Sequence, residues 1–234
     1  MKYRYMRPLT VIVLVTLLAL SLASGGSPAQ EKIKAPDPGV PELFTLKGQF
    51  VRIAYNSEGY VSLGYRVANQ STGEEWMLLE MGTTIRTGGE YTLKREHLSI
   101  EIPDGTTISL ASNKEYREAN LRALEQRARV VRDSINYFPQ GARQACPIRF
   151  FAELGGRASL AYDQVVLSNR RACLGRVFFK VPGGIQYGQH WLNVQFENSL
   201  VRAPFRILTK EEEKMFSKKW KDIKKEHEKA FGKT

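Results

Sequence analysis

The 234-residue sequence lacks the short motifs that mark common chemistries. It has no GxSxG elbow, no HExxH and no glycine-rich phosphate loop, so none of the local patterns of a hydrolase nucleophile, a zinc protease or a P-loop site is present. Histidine is scarce: His97 lies in the charged stretch KREHLSIE, His227 near the C-terminus, and only His190 falls in line with an apolar strand face, where it reads as a core or rim residue. Cysteine is scarcer, with Cys146 and Cys173 alone. Neither spacing nor ligand count fits zinc, so no metal site and no cofactor is expected.

An even pair of cysteines in an exported domain reads first as a disulfide. Closing the loop between Cys146 and Cys173 would stabilise the fold by roughly 3.5 kcal/mol in the chain-entropy model. The alternative is a dithiol redox pair, which needs a neighbouring base to generate thiolate.

Export is the expectation from the first 29 residues. Lys2, Arg4 and Arg7 precede an apolar run from Leu9 to Ala23, followed by small-residue cleavage contexts at Ala23-Ser24-Gly25 and Ser27-Pro28-Ala29. This pattern is that of a secretory signal peptide. An uncleaved N-terminal anchor is the other reading, and the run falls short of the roughly 20 apolar residues a span needs. Residues 30–42 continue a proline-rich stretch that reads as a spacer. The expected location is therefore secreted or periplasmic.

Charge is unevenly placed. Residues 30–112 hold eight Lys/Arg against eleven Asp/Glu, so the formal excess of +11 resides after residue 112. A basic second half in an exported chain points to another envelope protein or an anionic envelope component, and not to nucleic acid.

From Phe44 the apolar period is two: Val51, Ile53 and Tyr55; Val61, Leu63, Tyr65 and Val67; Met77, Leu79 and Met81; Leu98, Ile100 and Ile102; Ile108 and Leu110. Turn formers separate these runs, as in an antiparallel meander. The pattern then breaks at NKEYREANLRALEQRARVVRDSI, residues 113–135. Ser112 and Glu115 fit a capping box, and Leu121, Leu124, Ala128, Val131, Ile135 and Phe138 recur at spacings of 3 and 4. One long amphipathic helix over about 113–136 is expected, inserted as residues 113–138 into a β-domain spanning 43–208.

The β-pattern returns at Ile148, Leu160–Leu167, Val177–Val181, His190–Phe196 and Val201–Ile207. Two stretches echo one another, ACPIRFF from Ala145 and ACLGRVFF from Ala172, as would suit strands joined by a disulfide, although seven residues do not make a repeat. Residues 209–234 carry nine lysines and six acids and open with a second capping box, Thr209 and Glu212. A C-terminal helix over about 210–231 is expected, with Phe216, Trp220, Ile223, His227 and Phe231 on one face. Docking on its own domain, binding a partner, and contact with an anionic membrane surface are its three readings.

The stretch FFKVPGGIQYGQHWLNVQFENSLVRAPFRIL, residues 178–208, resembles the closing hairpin of immunoglobulin-like and fibronectin type III-like domains of bacterial envelope proteins. The resemblance implies an antiparallel two-sheet β-sandwich and a binding or assembly role without catalysis. The candidate partner surface is then Arg122, Arg129 and Arg132 with Lys218, Lys221 and Lys225. A rival reading is a carbohydrate-binding or hydrolase domain. It would use carboxylates among Glu74, Glu75, Glu80, Glu101 and Asp104 and aromatics among Trp76, Trp191, Tyr60, Tyr65, Tyr162 and Tyr187.

Overall fold

A computed structural model describes residues 42–45, 48–152 and 160–231. The signal-peptide expectation and all but the end of the spacer fall outside these residues. What is described is mainly β. Among the described residues no helix is long and apolar enough to cross a membrane.

The alternating runs become strands β1 (Glu42–Thr45), β2 (Gly48–Tyr55), β3 (Gly59–Gly64), β4 (Trp76–Ile85), β5 (Glu90–Lys94), β6 (Leu98–Glu101) and β7 (Thr107–Ser109), with helix α1 (Arg66–Asn69) between β3 and β4. Helices α2 (Asn113–Glu118) and α3 (Arg122–Val130) follow. Then come β8 (Gln144–Ile148), β9 (Gln164–Ser168), β10 (Arg171–Lys180), β11 (Gly188–Gln195), β12 (Leu200–Ile207) and helix α4 (Lys210–Phe231). They form a six-stranded sheet β1-β2-β3-β4-β10-β8, a four-stranded sheet β12-β11-β6-β7 and the pair β5-β9. All neighbours are antiparallel except β8 and β10, so the expectation of a purely antiparallel fold fails at that edge. The two echoing stretches meet there: Ala145 pairs with Ala172 and Cys146 with Cys173, and the two cysteines are bonded.

Strand β12 contacts β2 and β3. Phe205, Ile207 and Ala203 pack in one buried cluster with Val61, Leu63, Met77, Leu79 and Met81. Strand β3 is buried along its whole length and β4 nearly so. The second face of these strands is covered by the residues after α3.

The single long helix is not what forms. The capping box does form, with the Glu115 amide donating to Ser112 Oγ at 3.2 Å. But Ala119 is extended, with ψ 143°, and the helix restarts after Leu121. The reason lies in Tyr116, which sits off the stripe of Leu121, Leu124 and Ala128 by helical spacing. One straight helix would not bury both; the break buries both, with Tyr116 against Phe151 and Phe178 at 4.8 Å from each ring centroid.

Beyond Val130 the chain leaves the helix, and its residues alternate. Asp133 and Ile135 are buried while Arg132, Ser134 and Asn136 are exposed. Two glycines make room for this strap. A Cβ on Gly64 would lie 2.8 Å from Ile135 Cγ2, and one on Gly82 would lie 2.9 Å from Phe138 Cζ. Ser62 Oγ donates to the Ile135 carbonyl at 2.9 Å, and the Tyr60 hydroxyl donates to the Tyr137 carbonyl. The spacing of Val131, Ile135 and Phe138 is thus met by an extended chain on a sheet.

The C-terminal helix starts at its expected capping box, the Thr209 amide donating to Glu212 Oε2 at 2.9 Å. Arg206 and Glu212 pair at 2.8 Å, both nearly buried. Phe216 packs against the core, tying the first turns of α4 to the domain. The side chains of His227 and Phe231 lie outside the described set.

Candidate functional site

A cleft of about 700 Å³ opens on the face of the six-stranded sheet that carries the strap. Its floor follows from the register. Arg176 of β10 lies opposite Glu80 of β4, and the period of two puts Leu174 and Phe178 on the same side. One wall is the inserted segment, with Tyr116, Glu125, Arg129, Arg132 and Asp133. The other is the chain leaving β8, with Pro147, Arg149 and Phe151. Arg95 holds that second wall: its guanidinium donates to the carbonyls of Phe150 and Ala111 and lies 4.6 Å from the centroid of the Phe151 ring.

The charges on the floor are linked. Arg176 Nη1 donates to Glu125 Oε2 at 2.7 Å, and Arg176 Nε lies 3.8 Å from Glu80 Oε1. Tyr116 donates from its hydroxyl to Glu125 Oε1 at 3.2 Å. Burial pushes the Glu80 carboxyl up to about 7, against the pull of Arg176 and Arg132 and with a further push from Asp133. Behind the floor, Arg66 clasps Asp133 through two bonds of 2.6 and 2.9 Å, and both residues are buried.

The rim differs from the floor. Arg129, Arg132 and Arg149 are exposed, and none makes a salt bridge among the described residues. The cleft therefore offers three guanidinium groups to an incoming anion, above a carboxyl close to half-protonation at neutral pH. Such an arrangement can bind a carboxylate, phosphate or sulfate by charge-assisted hydrogen bonds and exchange a proton at Glu80.

Of the six residues expected to face a partner, Arg129 and Arg132 line this cleft. Arg122, Lys218, Lys221 and Lys225 are exposed on α3 and α4 and do not line it. Arg149, Arg176 and Tyr116 were not expected. A signal for Arg176 existed in the sequence, since Glu80 is the one charge in β4 and Arg176 the one charge between the terminal Arg171 and Lys180 of β10.

The carboxylates of the carbohydrate reading scatter, with Glu80 alone entering the cleft. Glu74 pairs with Arg127 at 2.9 Å, Glu101 with Arg202 at 2.7 Å, and Asp104 accepts from the Thr106 amide in a turn. The aromatics scatter as well: Tyr65 is in the core, Trp76 packs against it, and Trp191 lies under Arg202. His190 is fully buried with Nδ1 3.0 Å from the Gly188 carbonyl, and Tyr91 meets His97 Nδ1 at 2.8 Å. Among the described residues no group of three His, Cys, Asp or Glu is placed to hold a metal ion. Compared with protein-family models, curated proteins and solved structures, the chain matches none.

Proposed function

We propose that this protein is a non-enzymatic interaction module of the cell envelope, exported by its N-terminal segment and built as an immunoglobulin-like two-sheet sandwich. In this reading it captures an anionic group of its partner in the arginine-rimmed cleft. The observation that carries the proposal is the convergence on one concave surface of Arg129, Arg132 and Arg149, none of which makes a salt bridge among the described residues. The contact of β12 with β2 and β3 supports two facing sheets, and the disulfide suits an oxidising compartment. Reversing all three arginines to glutamate leaves the buried floor intact and should abolish partner capture in pull-downs from envelope extracts. Undiminished capture by the reversed protein sinks the proposal.

A second reading rests on Glu80. A carboxyl near 7 beside the ion-paired Glu125 is the division of roles seen in acid–base catalysis. It predicts turnover of some glycoside or ester probe, lost in Glu80→Gln and titrating near pH 7. Turnover that survives Glu80→Gln removes it.

A further inference from the structure

We propose that the anion taken into the cleft is hydrogen phosphate, selected over sulfate by Glu80, which accepts the one hydroxyl hydrogen that distinguishes the two ions. This selection rests on the cleft being an anion site, as proposed, and names what that site prefers.

The key residue is the acid among the arginines. Among the described residues the cleft is lined by Glu80, Glu125 and Asp133. Two of these carboxyls are saturated: Glu125 accepts from Arg176 at 2.7 Å and from Tyr116 at 3.2 Å, and Asp133 accepts from Arg66 at 2.6 and 2.9 Å. Glu80 is not. Its ion-pair partner is Arg176 Nε at 3.8 Å, too far for a hydrogen bond. Its side chain keeps 11% of its surface, and no unbonded oxygen of it is sealed from solvent, so the carboxyl opens into the cleft. Opposite it in β3 stands Gly64, which adds no side chain.

The rim guanidiniums of Arg129, Arg132 and Arg149 attract sulfate and hydrogen phosphate alike, since above neutral pH both are tetrahedral dianions. They differ by one O–H. An ionised carboxylate only accepts hydrogen bonds, so it can take that hydroxyl and can only repel sulfate. A protonated Glu80 donates to either ion. Burial raises this carboxyl to about 7, so the change from both ions to phosphate alone falls just above neutrality. The charges facing Glu80 are Arg176 from β10, Arg132 and Asp133 from the strap, Glu125 and Arg129 from α3, and Arg149 from the chain after β8. The acids among them are held in ion pairs, and no histidine lines the cleft among the described residues. Glutamine in place of Glu80 would not select, because an amide both donates and accepts.

The test is calorimetric titration of the purified protein with inorganic phosphate and with sulfate at pH 8.5, where Glu80 is ionised. Phosphate should bind at least about tenfold tighter than sulfate, and sulfate should gain at least about tenfold when the pH is lowered to 6. Glu80→Gln should bind the two ions equally at both pH values. The wild-type comparison needs no variant to fold. The same hydroxyl is carried by the free ion and by a phosphate monoester in its monoanionic form. Ethyl phosphate bound as well as inorganic phosphate at pH 6 assigns the group to a larger molecule, and its refusal there assigns the free ion; the selection by Glu80 holds in both. Equal affinity for phosphate and sulfate at pH 8.5, with both lost when Arg129, Arg132 and Arg149 are reversed to glutamate, overturns the selection and leaves the anion site standing. A phosphate preference that survives in Glu80→Gln overturns the role of Glu80. Binding of neither ion overturns the selection and the anion site together.

Discussion

Replacing Glu80 with glutamine should flatten the dependence of stability on pH. The Glu80 carboxyl is raised from an ordinary 4.5 to about 7, chiefly by burial. The unfolded chain therefore releases this proton first and binds fewer protons than the folded chain between those values. Stability accordingly falls as pH rises from about 4.5 to about 7. A shift of that size corresponds to about 3 kcal/mol, most of which falls between pH 5 and 8. Glutamine keeps the size and polarity of the side chain and leaves Arg176 bonded to Glu125. Urea unfolding of the oxidised protein at pH 5, 6, 7 and 8 gives the comparison. Relative to wild type, Glu80→Gln should gain about 2–3 kcal/mol across that interval. Parallel curves for the two proteins would refute the placement of Glu80 in a desolvated floor.

Three further outcomes follow from the packing. Gly82→Val would push first on Ser62 Oγ, which holds the Ile135 carbonyl, and then on Phe138 and Leu174, whose atoms lie 2.9 and 3.0 Å from a Cβ there; it should cost about 1–3 kcal/mol and expose the strap to limited proteolysis. Asp133→Asn removes the carboxylate from a buried ion pair and should cost about 3–5 kcal/mol in chemical unfolding, with Asp133→Leu/Arg66→Met costing less. Serine at both Cys146 and Cys173 should lower stability by roughly 3.5 kcal/mol at fixed pH if the bond acts on the unfolded chain.

The strands were legible in the sequence wherever one face met the core. Val51, Ile53, Val61, Leu63, Met77, Leu79 and Met81 all fall in strands, and the period of two shows because the residues between them on the strap side include Ser62, Gly64, Glu80 and Gly82. Strand β5, Glu90–Lys94, was not, since only Leu93 of its five residues is fully buried. The inserted segment misled for a specific reason. Leu121, Leu124 and Ala128 belong to a helix, whereas Ile135 and Phe138 reach the sheet from an extended strap; spacings of three and four do not distinguish the two when the strap follows at once. Gly64 and Gly82, which accept the strap, give no local sign of it.

The cleft was half legible. Arg129 and Arg132 were visible as a basic helix face, but Arg149 and Arg176 join them only through strand pairing, which sequence spacing does not encode. Glu125 offered a helical partner to Arg129, four residues on. In the structure it turns instead to Arg176 and Tyr116, because the broken helix faces the sheet.

Binding of a partner in the cleft, and not on the lysine-rich C-terminal helix, can be read by crosslinking. A photoreactive residue placed at Ser134 in the cleft and, separately, at Lys225 on α4 tests this in intact cells, since both positions are exposed. The expected result is a discrete adduct from Ser134 that disappears when Arg129, Arg132 and Arg149 are reversed to glutamate, and none from Lys225. An adduct from Lys225 alone, or one from Ser134 that survives the reversal, would contradict it.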